Sequence, residues 1–157
     1  MENQKNNKGV ITLLIVIIVI LSALCVLLST GTISFNTNKV GNMQIMFYGC
    51  SNLSIASELP AMTLAPYCYS YMFYGTSITN TPELPALEMK DFCYAGMFKN
   101  CSKLNHITIF ARDISAYQCL NGWVENVPST GIFTKVKAMR DFPMGHSGIP
   151  NGWTVNN

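Results

Sequence analysis

Three short blocks recur along this chain in one order and at one spacing, and that recurrence constrains its fold more than any other feature. Met46-Phe47-Tyr48-Gly49-Cys50 is repeated as Met72-Phe73-Tyr74-Gly75 and again as Met97-Phe98-Lys99-Asn100-Cys101, with Trp123-Val124 where a fourth copy would begin. The starts lie 26, 25 and 26 residues apart. Ser57-Glu58-Leu59-Pro60-Ala61 is matched by Pro82-Glu83-Leu84-Pro85-Ala86, and Tyr67-Cys68-Tyr69 by Phe92-Cys93-Tyr94 and, more loosely, Gln118-Cys119-Leu120. Blocks recurring in order at a fixed period mean a repeat array, in which each unit stacks an apolar face on its neighbour.

Residues 10–28 precede the array as a run of 19 without charge, broken only by Thr12 and Ser22. As a helix it would span roughly 28 Å at about 1.5 Å per residue, close to the hydrocarbon thickness of a bilayer. Lys5 and Lys8 stand before it and the next basic residue is Lys39, which puts residues 1–9 in the cytoplasm and residues 30–157 outside. The expectation is a single-pass signal anchor at the cell membrane. A cleaved signal, with Ser29-Thr30-Gly31 as its site and a secreted product, is the alternative, and a lipoprotein signal at Cys25 is disfavoured by the leucine before it. All three export the remainder.

That remainder carries eight Lys or Arg against seven Asp or Glu, scattered. With no basic stripe, it offers nothing to nucleic acid. Residues 30–45 read as a linker and edge, 46–122 as three repeats, and 123–157 as a closing segment in which Trp123 and Trp153 cover the end of the array.

Within one period, Leu53, Ile78 and Leu104 form one column and Leu59, Leu84 and Phe110 another. The segments between them, 54–58, 79–83 and 105–109, read as one short strand per unit, ended by Pro60 and Pro85 in the first two. Afterwards apolar positions recur at helical spacing (Leu64, Cys68, Met72; Leu87, Tyr94, Phe98), which predicts a short helix. Gly49, Gly75 and Asn100 then supply a turn with positive φ. The expected class is therefore α/β, a short leucine-rich-repeat-like solenoid with one strand and one helix per 25–26 residues, preceded by a transmembrane helix.

The blocks "MFYGCSNL…ELPAMTLAPYCYSYMFYG" and "ELPALEMKDFCYAGMFKNCSKL" resemble the BspA-like leucine-rich repeats of bacterial surface proteins. The tail "DISAYQCLNGWVENVPSTGIF…GIPNGWTV" is similar to the closing segment that often follows them, so the resemblance spans roughly residues 46–155. It implies a solenoid displayed at a cell surface or secreted, for adhesion or partner recognition. The chain departs from the pattern in having few units and in losing a cysteine at Gly75-Thr76-Ser77.

Cys68, Cys93 and Cys119 form a ladder at the repeat period, and Cys50 and Cys101 a second column. A buried, reduced ladder is the preferred reading, since Cys93 persists where its partner column is empty. Bridges Cys50–Cys68 and Cys101–Cys119 are the alternative. Without a Cys-x-x-Cys pair, and with two histidines 40 positions apart, no metal or other cofactor is expected. Gly145-His146-Ser147-Gly148-Ile149 imitates a nucleophile elbow but ends in isoleucine, and reads as a turn. His106 reads as a packed or surface residue. No reaction is expected. The candidate binding residues are the outward column Ser54, Thr79 and Asn105, with Glu58 and Glu83 as a negative strip beside it. Hydroxyl and amide groups about 5 Å apart, the spacing of adjacent strands, suit an extended protein or glycan ligand. A structural spacer, or the remnant of a longer surface protein, is the alternative to recognition.

Overall fold

The computed structural model describes residues 43–139 and 141–157. The transmembrane helix expected at 10–28 lies outside them, and among the described residues no helix is long and apolar enough to cross a membrane.

The units do stack, but not by the elements expected. Among the described residues there is no helix, which overturns the strand-plus-helix unit and with it the α/β class. The stretch read as helical is instead a ribbon of successive tight turns, at 44–49, 66–75, 91–100 and 117–126. Its cause is a left-handed residue at every fourth position: Ile45 and Gly49; Tyr67, Tyr71 and Gly75; Phe92, Gly96 and Asn100; Gln118, Gly122 and Asn126. An α-helix needs uniformly negative φ and bonds from each amide to the carbonyl four residues back. Here alternate amides close four-residue turns, as in Ser70 N–H to Tyr67 O (3.0 Å) and Met72 N–H to Tyr69 O (3.1 Å). The amides between them leave the unit altogether. Those of Tyr67, Tyr69, Tyr71, Phe73 and Gly75 donate to the carbonyls of Asp91, Cys93, Ala95, Met97 and Lys99 in the next coil, at 2.9–3.0 Å. A four-residue turn period places apolar side chains at i and i+4 just as a helix would, so spacing alone did not separate the two.

Gly96 shows why one left-handed site cannot carry a side chain. Its φ is +60°, and a Cβ there would lie 2.4 Å from the Tyr71 ring stacked above it.

Strand pairing is also sparser than one strand per unit. The sheet has three parallel strands in order: β1 (His106–Ile109), β2 (Ile132–Lys135) and β3 (Thr154–Asn156). Unit two meets β1 only through isolated bridges, Asn80 to His106 and Leu84 to Ile109. Pro82 and Pro85 remove amides there, so a continuous ladder cannot form. Unit one has no bridge over 54–58 among the described residues, and contributes the Leu53 carbonyl to Ser77 N–H at 2.9 Å. The register in unit three differs by one residue from the expected one. Ile109, buried, pairs with Leu84, while Phe110 is half-exposed. Five residues of unit two (80–84) span four of β1 (106–109), and that extra residue is taken up as a bulge.

The core is a set of columns running through the stack. Leu53, Ile78 and Leu104 are fully buried, as are Ala61, Ala86 and Ala111 to within 1%. The rings of Phe47, Phe73 and Phe98 follow one another at 5.3 and 5.8 Å, and Trp123 meets Phe98 at 5.9 Å. Trp123 closes this column: its indole is fully buried, donates to Gly148 O at 2.8 Å and packs on Phe133 and Phe142. Trp153 covers Gly131 and donates to Pro128 O at 2.8 Å.

Cys68, Cys93, Cys101 and Cys119 are free and buried, so neither intra-unit bridge is formed. Burial pushes the Cys68 and Cys119 thiols up to about 11 and that of Cys93 up to about 12, from 9.0. These groups are neutral in the folded chain. Their folded pKa lies above the unfolded one, so their stabilising contribution is complete below about pH 9 and is lost as pH rises toward 11–12. We expect a maleimide to leave Cys68 and Cys93 unmodified at neutral pH until denaturant is added, and the denaturation midpoint to fall steadily above pH 9. Rapid native labelling, or a midpoint flat from pH 8 to 11, would contradict the burial.

Candidate functional site

Ser54, Thr79 and Asn105 all stand exposed on the strand side of the stack. The backbone joins the last two directly, Asn105 N–H donating to Thr79 O at 2.8 Å. In β1 the burial alternates, with Ile107 and Ile109 inside and His106 and Thr108 partly outside. That period of two is the reason a polar column forms next to an apolar one. Thr108 Oγ1 lies 3.3 Å from His106 Nε2, and Thr108 N–H donates to Thr81 Oγ1 at 3.3 Å, so the polar side is cross-linked between units two and three. His106 is held there as a partly exposed surface residue.

Glu58 and Glu83, one unit apart, are both exposed and line one groove of about 450 Å³ together with Leu59, Pro60, Met62 and Pro85. Neither carboxylate is in an ion pair among the described residues. The groove has a clear local origin. Each Glu-Leu-Pro-Ala block buries its leucine and alanine and turns the glutamate and proline outward, so stacked blocks leave a shallow channel with a polar lip and an apolar floor. Met62, 60% exposed at its edge, was not foreseen as part of it. The repetition of Pro-Ala after Glu-Leu was the available signal, since two prolines in register mark where the backbone stops pairing and a gap opens.

The opposite, turn side is aromatic. Tyr48 stacks on Tyr74 at 4.4 Å and Tyr67 on Phe92 at 4.7 Å, nearly parallel in both cases. Asn100 Nδ2 donates to Tyr74 Oη at 2.6 Å and Asn126 Nδ2 to Asn100 Oδ1 at 2.8 Å, continuing that column in polar form. Such rings cover each other's faces and offer edges to solvent, a geometry that ties coils together.

The apparent nucleophile is engaged structurally. Ser147 Oγ accepts from Gly122 N–H at 2.9 Å, and Gly145, at φ +104°, forms the turn read from the sequence. Among the described residues no group of three or more His, Cys, Asp or Glu is arranged to hold a metal ion.

Compared with known proteins, the chain matches no family model, no curated protein and no solved structure.

Proposed function

We propose that this chain is an extracytoplasmic recognition module, which holds an extended polar ligand (a protein segment or a glycan) against its strand side and performs no chemistry on it. One observation carries the reading: Glu58 and Glu83 of successive units line one groove, and Ser54, Thr79 and Asn105 stand exposed in the segments that lead up to it. Polar groups at the rim fix a ligand's orientation, and the floor of Leu59, Pro60 and Pro85 supplies apolar contact. The uncharged run at 10–28 behind Lys5 and Lys8 supports export. The likeness of the repeats to BspA-like surface proteins supports adhesion as the setting.

The test is a glycan and protein array probed with the full chain and with a Thr79→Arg, Asn105→Arg double variant. Both positions are exposed, so the variant should fold normally. Binding by the parent chain should fall at least tenfold in the variant, a difference of about 1.4 kcal/mol. Undiminished binding would move the site off the strand side, and a parent chain that binds nothing on either array would favour a spacer.

A further inference from the structure

The turn ribbons follow one hydrogen-bond rule, and the last ribbon departs from it. In the ribbon at 91–100 the amides of Phe92, Tyr94, Gly96, Phe98 and Asn100 donate to the carbonyls of Tyr117, Cys119, Asn121, Trp123 and Glu125, all at 2.8–3.0 Å. The corresponding donors of the next ribbon are Gln118, Leu120, Gly122, Val124 and Asn126. Gly122 N–H is taken by Ser147 Oγ and Val124 N–H by His146 O (3.2 Å), because the chain returns beneath them. The amides of Gln118, Leu120 and Asn126 have no hydrogen-bond partner among the described residues, and the first two stand two residues apart on one pocket. Gln118 and Leu120 themselves line a pocket of about 290 Å³, walled further by Ile114, Ala116, Cys119, Pro143 and Ser147.

We infer that this pocket is a second binding site, for the main chain of a partner polypeptide that continues the turn ladder by one rung. The occupant follows from the register. In the described units, each such pair of amides, two residues apart, is met by two carbonyls two residues apart on a stacked backbone, as Asp91 and Cys93 meet Tyr67 and Tyr69. A polypeptide reproduces that spacing, and addition of a backbone to an open edge is an established mode of peptide recognition. The residue in register with the Cys68, Cys93 and Cys119 column faces the apolar wall, so the partner presents a small apolar side chain there. This site is separate from the strand-side groove and goes beyond the proposed function, which can fail without it.

The probe is a capped synthetic peptide of residues 89–97 of this chain carrying Cys93→Ala, used with the full chain. It contains the carbonyls of Asp91 and Cys93 that serve the ribbon at 66–75. Two backbone hydrogen bonds and one small side chain place its Kd on the order of 1 mM. At saturating peptide, amide hydrogen exchange at Gln118 and Leu120 should slow by about tenfold or more, while Tyr94 and Gly96, already paired, stay unchanged. Pro143→Trp, on an exposed wall residue, should abolish that protection, and Thr79→Arg with Asn105→Arg should leave it intact. Unchanged exchange at both amides, protection confined to other amides, or equal protection by acetate alone would each overturn the assignment.

Discussion

Replacing Trp123 by alanine should cost about 3–5 kcal/mol, the range for truncating a large buried aromatic. The indole is fully buried and sits where two parts of the chain meet. On one side it ends the Phe47, Phe73 and Phe98 column, and on the other it packs on Phe133 and Phe142. Its Nε1–H donates to Gly148 O at 2.8 Å, so the variant also strands a buried carbonyl. Trp123→Phe keeps most of the packing and loses that bond, and should fall between alanine and the parent. Denaturant titration of the three proteins gives the order directly. A Trp123→Ala loss under about 1 kcal/mol would mean that the closing segment does not dock on the stack.

Phe73→Ala is expected to approach the same cost, about 3–5 kcal/mol, for a different reason. Phe73 lies between Phe47 and Phe98, with ring contacts on both faces, and is itself fully buried. Removing it opens a void between coils one and three that neither neighbour can fill, because each is fixed by its own backbone bonds to the next coil. Phe73→Leu refills part of that volume and should recover much of the loss. Equal stability of the alanine and leucine variants, measured by urea midpoint, would show that the column does not act as a packed unit.

The sequence made the stacking visible and concealed the local backbone. The column Leu53, Ile78 and Leu104 is fully buried, and Gly49, Gly75 and Asn100 do take positive φ, at 71°, 68° and 62°. Both follow from simple rules: apolar residues at the period face inward, and glycine or asparagine tolerates the left-handed region. The helix did not follow, because Tyr67, Tyr71 and Phe92 also take positive φ, and nothing about tyrosine or phenylalanine announces it. Coil-to-coil hydrogen bonds impose that conformation, and such long-range pairing is not encoded in any short window. Phe110 gave way to Ile109 for a related reason, since the bulge between 80 and 84 shifts the register within one unit. In the candidate site, Ser54, Thr79 and Asn105 were read from strand alternation; all three are exposed, although neither 54–58 nor 79–83 forms a strand. Glu58 and Glu83 were visible as a column, but their groove depends on Pro60, Pro85 and Met62 standing around them. The unpaired amides of Gln118 and Leu120 had no sequence signal, because what marks them is a partner that the returning chain fails to supply.

The ring of Phe73 meets Phe47 above and Phe98 below through the same kind of contact, and the amide ladder likewise repeats from one coil to the next. The interior seams are therefore interchangeable. If a stretch of one period were duplicated or deleted with its ends at Met72 and Met97, the surfaces brought together would be ones that already fit. The closing rung at Trp123 and the first coil would be left as they were. Copy number in such a chain is a variable that recombination can change while the buried aromatic column and the amide ladder are kept, and the length of the stack would change with it, one rung at a time.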